Sequence, residues 1–485
     1  MYIKRLLRIL NIVFYFIVIS TICSCSTNAP LGNYAENSAN VKEVIRWGGI
    51  LSTADGTIEK AFRKVATEYQ KIKPDTEVKI EFLNADDYSH NRTWIVTQLV
   101  GGTAPDIMQT WHTWAKEDYR KGLVIDLKPY LNEEYEYGDK GRTWIQHFQP
   151  ELISQSRDNT TGKFPSVPLA SVAVKVIYNK ALFNKAGIER LPATMTDMLK
   201  CCELLERADI TPFIIPNASP GDDVVNWIHR MFMDQMIEPL IPSIDLDSSG
   251  YIEMNEIIAG VDKGIIDLEK SPWSNSPELI KDFSRYWIKD FNGLDRKTAV
   301  DLFIKGKGAM IIEWGFSLKA ISENREREFE FGVFSFPYLT KNESEYAVGK
   351  LYEMGGAPQL NMCVPATVEK ESLETVINLL QFLSSPQAAN ILAEEGWMVS
   401  SLQNIPLPQG LGDFVIKGST SRLRLLSPLV SKELYEDDNR FSQLYLEGKI
   451  SLSEFNAALN NDLKDFVKEQ KKLNNWTESN NWGVN

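Results

Sequence analysis

The first part of the sequence, between residues 41 and 110, alternates strand patterns with amphipathic helix patterns. The segments VKEVIRWGG, EVKIEFLN and PDIMQT have the apolar runs or the alternation expected of β-strands. The segments between them, TIEKAFRKVATEYQKIKP and RTWIVTQLVGG, carry apolar residues at helical spacing and end in Pro74 and in Gly101–Gly102. A strand–helix–strand–helix–strand order is typical of parallel βαβ units. We therefore expect an α/β fold.

Length and composition narrow the class of protein further. A chain of 485 residues is long enough for two to four domains. Its 43% hydrophobic and 24% charged residues are ordinary for a globular protein, which excludes a disordered, collagen-like or coiled-coil chain. The formal net charge of −13 argues against nucleic acid as the main partner, because phosphate binding needs a basic surface.

The N-terminus has the order of an export signal. Lys4, Arg5 and Arg8 precede an apolar run from residue 12 to 19, which is shorter than the roughly 20 residues that a membrane-spanning helix needs. The following Ile-Cys-Ser-Cys sequence matches a lipobox and predicts lipidation at Cys25. An uncleaved anchor and cleavage by an ordinary signal peptidase are the alternatives.

This interpretation predicts where the mature chain starts and where the protein is located. Residues 1–24 are a predicted lipoprotein signal peptide, and residues 25–40 are polar and small, as in a flexible tether. The mature protein is then expected in a bacterial cell envelope, outside the cytoplasm, and anchored to the membrane by lipid.

Several segments of the mature chain occur in an order that resembles a known family. They are Val44–Trp47, GGTAPDIM (101–108), PSVPLASVAVKVIYNKALFNKAGI (165–188), LPATMTDML (191–199), DLFIKGKGAMIIEWG (301–315), FGVFSFP (331–337) and FLSSPQAANILAEEG (382–396). Together they resemble the family-one extracellular solute-binding proteins of ATP-binding-cassette importers, the group that includes maltose-binding protein. The resemblance covers most of residues 44 to 460.

The resemblance implies a two-lobed clamshell of the periplasmic-binding-protein type (type II), with the ligand in a cleft between α/β lobes joined by several hinge crossovers. By analogy, lobe one is residues 41–166 plus 315–380, and lobe two is residues 167–314 plus 381–485. Such a protein is a monomer that closes on its ligand and docks on the transmembrane permease subunits of an importer.

Candidate ligand contacts are the aromatic and acidic residues that follow predicted strands or begin helices. Open α/β folds bind ligands at such positions, and sugars need planar aromatics for their faces and polar groups for their edges. The candidates are Trp47, Asp86, Trp111, Asp222, Trp227 and Trp314. Each tryptophan could instead pack in the core or at its rim, and each aspartate could be a helix N-cap. Trp114, Glu313 and Glu353 are weaker candidates.

Residues 245–256, DLDSSGYIEMNE, fit the loop pattern of an EF-hand. The oxygen donors would be the side chains of Asp245, Asp247, Ser249, Glu253 and Glu256 and the carbonyl of Tyr251. Gly250 stands at the sixth position, where the loop turns sharply. We expect a structural Ca²⁺ here, because this spacing wraps oxygens around one point, and some carbohydrate-binding members of the family carry such a loop. The alternative is an acidic turn with an N-cap.

These observations predict a lipid-anchored receptor that binds a carbohydrate, expected to be an oligosaccharide, and delivers it to a permease without catalysis and without an organic cofactor. Two alternatives stay open. The same clamshell could bind a non-sugar solute, or the protein could be an envelope polysaccharide hydrolase, although nothing in the sequence places a pair of catalytic carboxylates.

Overall fold

The computed structural model describes residues 43–51, 56–83, 88–221, 224–315, 317–428 and 430–484. The predictions for the signal peptide, the tether, Cys25, Asp86 and Asp222 lie outside these residues. The strands are β1 (Glu43–Leu51), β2 (Thr76–Leu83), β3 (Ile107–Thr110), β4 (Val167–Asn179), β5 (Met310–Trp314), β6 (Phe331–Phe334), β7 (Tyr352–Glu353), β8 (Gly355–Cys363), β9 (Val399–Ser400) and β10 (Ser419–Thr420).

Helices occupy most of the remaining chain. The α-helices are α1 (Thr57–Ile72), α2 (Tyr88–Gly101), α3 (His112–Arg120), α4 (Lys128–Leu131), α5 (Pro150–Gln155), α6 (Lys180–Lys185), α7 (Met195–Arg207), α8 (Val224–Ile237), α9 (Ile241–Ile244), α10 (Met254–Asp262), α11 (Ser276–Ser284), α12 (Arg296–Ile304), α13 (Ser317–Glu323), α14 (Lys370–Leu383), α15 (Pro386–Gly396), α16 (Lys432–Leu446) and α17 (Leu452–Asn474). Short 3₁₀-helices lie at Trp144–His147, Glu238–Leu240, Trp273–Asn275, Phe291–Gly293, Leu411–Phe414 and Glu478–Gly483.

The main sheet confirms the predicted parallel βαβ units. β1 pairs parallel with β2 on one side and with β3 on the other. The strand order is β2-β1-β3-β8-β4-β5, and β6 and β9 also pair with β4. β8 is antiparallel to both β3 and β4, so β8 runs against the parallel strands and β4 runs in the same direction as β3.

The long strand β4 belongs to two groups of strands. Its first half pairs with β8 and β9, as in the pairs Ala170–Gln359 and Ala170–Ser400. Its second half pairs with β5 and β6, beginning at the Val174–Trp314 pair. The register with β8 shifts between Ser171 and Ala173, at the point where one group gives way to the other. β4 therefore crosses from one part of the molecule to the next.

Buried side chains form separate cores on the two sides of this crossing. The first core includes Ile45, Trp47, Phe62, Val167, Leu169, Phe382, Leu392 and Leu402. The second core includes Val174, Val176, Phe232, Met310, Ile312, Phe336, Leu339 and Met354. A third, mostly helical core gathers the C-terminal half of α8 with α10, α16 and α17.

These cores divide the chain differently from the lobe boundaries expected by analogy. Residues 334–354 pack in the second core, although the analogy placed 315–380 in lobe one. Residues 382–402 pack in the first core, although the analogy placed 381–485 in lobe two. The physical reason is that β8 joins the sheet beside β3. The helices α14 and α15 follow β8 and pack with β1 and α1 in the first core.

A glycine allows the chain to cross close to β4. Gly355 has a φ of +115°, and a Cβ added there would lie 2.2 Å from the carbonyl oxygen of Val172. No side chain fits this close approach of two backbones, so glycine is required where β8 begins.

A buried ion pair joins the segments that run between the cores. Lys175 on β4 pairs with Glu353 on β7, and neither side chain has exposed surface. The backbone N–H groups of Lys417 and Gly418 donate to the second carboxylate oxygen of Glu353, at 2.6 and 2.9 Å. Burial alone would raise the pKa of Glu353, but Lys175 outweighs it and holds this pKa below its usual value. Three separate stretches of chain therefore meet at one carboxylate.

Among the described helices, none combines the length and the apolar character needed to cross a bilayer.

Candidate functional site

Four of the predicted ligand-contact tryptophans fall within the described residues, and the structure brings two of them together. Trp227 in the first turn of α8 and Trp314 at the end of β5 form an edge-to-face pair with ring centroids 5.0 Å apart. Trp111 caps the N-terminus of α3 directly after β3, and its ring lies edge-to-face with Trp114 at 6.2 Å. Trp111 and Trp227 lie at a helix start but are largely buried, at 7% and 5% exposed, so their contact with a ligand stays a prediction.

Trp47 has a different place from the one predicted. Its side chain has no exposed surface, and its ring lies 4.8 Å from that of Phe62 in the first core. Trp47 faces inward because β1 is a central strand covered by α1. We therefore leave Trp47 out of the candidate site.

An ion pair holds the Trp227–Trp314 pair in position. Arg296, the first residue of α12, forms two hydrogen bonds with Glu313, from Nε at 3.0 Å and from a terminal nitrogen at 2.7 Å. Its guanidinium carbon lies 5.1 Å from the ring centroid of Trp227. Glu313 also accepts from the backbone N–H of Trp314. The weaker candidate Glu313 is therefore buried and positions the aromatic pair. The other weak glutamate candidate, Glu353, is also buried, and it pairs with Lys175.

Arg296 was not among the residues predicted from the sequence. An arginine that follows an N-capping aspartate is common at helix starts, so its sequence position does not mark it as a site residue. The fold brings Arg296 into contact with β5 and α8.

One face of α8 continues from the aromatic pair to a group of charged residues. Trp227, Arg230 and Asp234 are spaced by three and four residues, which places them on one side of the helix. Asp234 is buried, and burial raises its pKa to about 7 although Arg230 and Arg424 act in the opposite direction. This face of α8 therefore presents an aromatic ring followed by ionisable groups.

His112 and Arg424 connect the two sides of the molecule. Arg424 lies between Leu423 and Leu425 of the third core, and its guanidinium donates to Nε2 of His112 at 2.9 Å. It also donates to the Gln155 side-chain oxygen at 3.3 Å. Burial lowers the pKa of His112 well below its usual value, and the positive charge of Arg424 adds to this effect. His112 is therefore neutral and accepts at Nε2.

A second connection runs from α3 to the predicted metal loop. Lys116 lies 2.8 Å from Glu253, and Arg120 lies 3.2 Å from the other oxygen of the same carboxylate. Arg120 also pairs with the buried Asp158 at 3.0 Å. Burial alone would raise the pKa of Glu253, but Lys116 and Arg120 hold it below the usual value. The loop therefore contacts α3 through Lys116 and Arg120, which follow His112 along the helix.

The loop itself gathers three carboxylates. Side-chain oxygens of Asp245, Asp247 and Glu256 lie within 4.8 Å of one another. Asp245 accepts from the backbone N–H groups of Ser249 and Gly250, at 3.0 and 2.8 Å. Burial raises the pKa of Glu256 to about 7. The carboxylates of the first, third and twelfth positions therefore converge, as the pattern requires.

The remaining predicted metal ligands are placed less uniformly. The backbone N–H of Ser249 donates to Asp245 and Asp247, at 3.0 and 2.8 Å, whereas its hydroxyl donates to the carbonyl oxygen of Tyr251 at 2.8 Å. Glu253 instead points away to Lys116 and Arg120. Its carboxylate is taken by these ion pairs, so the structure leaves it out of the converging group.

Comparisons with known proteins agree with this arrangement. Residues 54–390 match the family model described as bacterial extracellular solute-binding protein. The chain is 26% identical to binding proteins of Brucella abortus over 137 residues, which are 28% of this chain and 30% of those proteins. It is 22% identical to the diacetylchitobiose binding protein DasA of Streptomyces coelicolor over 61% of each chain.

A solved structure extends the likeness to the whole fold. The structure of a chitin oligosaccharide binding protein matches with a TM-score of 0.64 and 15% sequence identity, covering 88% of this chain and 99% of that one. This likeness shows the expected α/β clamshell with two lobes. The family resemblance of the sequence segments is thereby confirmed. The chain belongs to the bacterial extracellular solute-binding protein family.

Proposed function

We propose that this protein is the substrate receptor of an ATP-binding-cassette importer and binds a carbohydrate, such as an oligosaccharide, between its two lobes. The observation that carries the proposal is the aromatic pair Trp227–Trp314, held by Arg296 at the edge of β5, with Trp111 at the end of a strand of the first group. Indole rings cover the apolar faces of sugar rings, and polar groups beside them bind the hydroxyls. Several relatives bear the names of sugar-binding proteins.

The protein hands its ligand to the permease unaltered in this proposal. Both buried glutamates near the lobe crossing, Glu313 and Glu353, are engaged by Arg296 and Lys175. Lys175 holds the pKa of Glu353 below its usual value, and Arg296 bonds both carboxylate oxygens of Glu313, so neither residue is well placed to act as the general acid of a hydrolase. We propose further that the protein is a monomer anchored through lipid on Cys25, and that the lobes divide where β4, β7 and the segment before β10 cross.

The central test is ligand binding. We expect the melting temperature of the protein to rise with members of a glycan panel, and its tryptophan fluorescence to change as the lobes close. Trp227→Ala should abolish the binding, while Trp144→Phe, a conservative change of a buried tryptophan of the first core, should leave it intact. Release of sugar products during incubation would favour a hydrolase, and binding confined to non-sugar solutes would contradict the proposal.

We also propose that the loop 245–256 holds a structural Ca²⁺. Three carboxylates brought together with no cation repel one another, and a divalent cation relieves that repulsion. Calcium should raise the melting temperature, and a chelator should reverse the rise. Asp245→Asn and Glu256→Gln should each remove this response, whereas the exposed Asp282→Asn should keep it. A melting curve that is the same with calcium and with chelator would refute the site.

A further inference from the structure

Several hydrogen-bond donors at the N-terminus of α3 have no acceptor among the described residues. Its first internal bond runs from Ala115 N–H to the carbonyl of Trp111, and the cap residue supplies no side-chain bond. Within the described parts of the chain, the backbone N–H groups of residues 112–114 have no acceptor. A helix N-terminus of this kind favours an anion, because its free N–H groups carry partial positive charge.

The side chains of the same turn are also incompletely satisfied. His112 is 4% exposed and its Nε2 accepts from Arg424, so the ring proton lies on Nδ1. Among the described residues, neither Nδ1 of His112 nor the buried hydroxyl of Thr113 has a hydrogen-bond partner. A buried donor without an acceptor costs free energy, so both atoms favour the binding of an acceptor group at this turn.

Arg424 adds a full positive charge at this turn. Arg424 is half-buried as a residue, and two of the five N–H groups of its guanidinium donate, to the neutral His112 and to Gln155. In the described part of the chain, no carboxylate lies within 4.0 Å of it, and its other three N–H groups have no acceptor. A guanidinium presents its donors as a planar fork that matches carboxylate, sulfate or phosphate oxygens.

The surrounding charges do not neutralise Arg424. Burial, together with the neighbouring Arg230, lowers the pKa of Arg424 to about 10, so it stays a cation at neutral pH. Asp234 is the acidic residue that acts on it, and its own pKa of about 7 leaves it only partly ionised. The nearby Glu253 is already engaged by two cations of α3.

We propose that the carbohydrate bound by this protein carries an anionic substituent, which is held by the guanidinium of Arg424 and the N-terminus of α3, while Nδ1 of His112, on the ring side away from Arg424, donates to a hydroxyl of the same saccharide. This inference rests on the proposed function and names the class of sugar that the cleft selects. The shared chemistry is a carboxylate, sulfate or phosphate group on the saccharide.

Matched pairs of saccharides test the proposal by calorimetry. The pairs are trigalacturonate and the same trisaccharide with its carboxyls reduced, a sulfated carrageenan tetrasaccharide and its desulfated form, and a maltotriose phosphate and maltotriose. We expect the anionic member of at least one pair to bind about 10- to 100-fold more tightly than its neutral partner. The pair that shows the difference identifies the substituent.

Variants of the full chain connect the preference to Arg424. Arg424→Gln should remove the 10- to 100-fold preference, so that the anionic and the neutral member of a pair bind this variant with equal affinity. Arg424→Lys keeps the positive charge but lacks the planar guanidinium donors, so it should retain part of the preference for the anionic saccharide. The exposed Arg422→Gln is the matched control and should bind as the unaltered protein does. Melting curves of each variant verify that it is folded.

The outcomes separate this inference from the proposed function. Tight binding of neutral saccharides with no preference for any anionic partner overturns the inference and leaves the carbohydrate receptor intact. An anionic preference that survives in Arg424→Gln overturns the assignment to this residue. Failure of every saccharide in these pairs and in the wider glycan panel contradicts the proposed function itself.

Discussion

The Lys175–Glu353 ion pair shows how strongly one residue can constrain this fold. Both side chains are fully buried, and the pair is completed by Ser335, whose hydroxyl lies 3.0 Å from the Lys175 ammonium. Removing one member of a buried pair leaves the other charge without compensation, which costs far more than the loss of a surface pair. The contribution of Glu353 to stability therefore depends on the burial of its partner Lys175 and not on its charge alone.

We expect Glu353→Gln to lower the free energy of unfolding by about 3–5 kcal/mol, because Lys175 would remain buried without its anion. Urea denaturation measures the change. Glu330→Gln, which alters an exposed carboxylate 3.4 Å from Lys180, should change stability by less than about 0.5 kcal/mol. The double variant Lys175→Met/Glu353→Gln should recover part of the loss. Equal effects of the two single glutamate changes would contradict a special role for the buried pair.

At the scale of elements, the crossing between the two groups of strands depends on backbone geometry. β4 changes partners near Val172, and β8 starts within contact distance of the same residue. The close approach is between backbone atoms, which have little freedom to move apart without breaking the strand pairing. The elements at this crossing consequently tolerate no side chain at residue 355.

We expect Gly355→Ala to destabilise the protein by at least about 2 kcal/mol, since the added Cβ both clashes with Val172 and requires a positive φ. Thermal unfolding followed by circular dichroism provides the measurement. Gly412→Ala is the control, because a Cβ there meets no atom within 4 Å. An unchanged melting temperature for Gly355→Ala would show that the two strands can separate at little cost.

At the scale of the whole molecule, two polar connections join α3 to the opposite side. One is the hydrogen bond between His112 and Arg424, and the other is the pair of ion pairs from Lys116 and Arg120 to Glu253. Because His112 must be neutral to accept from Arg424, its protonation opposes the first connection. Acid pH should therefore weaken this connection between α3 and Arg424.

The native pKa of His112 lies below its unfolded value, so the unfolded state binds more protons as the pH falls. The stability that this residue contributes is complete above pH ~6.5 and is lost below it. We expect the free energy of unfolding to fall between pH 7 and 5.5 by up to roughly 1.4 kcal/mol per pH unit more than in His112→Gln. Urea denaturation at several pH values compares the two proteins, whose other histidines are the same. Parallel pH profiles would refute this role.

Much of the fold could be predicted from the sequence, because the patterns that indicate it involve residues close together along the chain. The apolar periodicity of residues 44–110 gave the strands and helices of the parallel units, and the ordered segments identified the family. The spacing of the loop 245–256 likewise placed Asp245, Asp247 and Glu256 together, since twelve consecutive residues fix their own geometry. Whether calcium occupies that loop stays a prediction.

The lobe boundaries and the charged part of the site depended on contacts between distant residues. Periodicity could not reveal that β4 serves two groups of strands, or that α14 and α15 return to the first core. Likewise, Arg424 meets His112 across 312 positions of sequence, and no local pattern marks either residue. The elements and the family follow from short-range spacing, so they could be read from the chain before it folds. Which tryptophans and charges lie together depends on burial and long-range pairing, and these are properties of the folded chain.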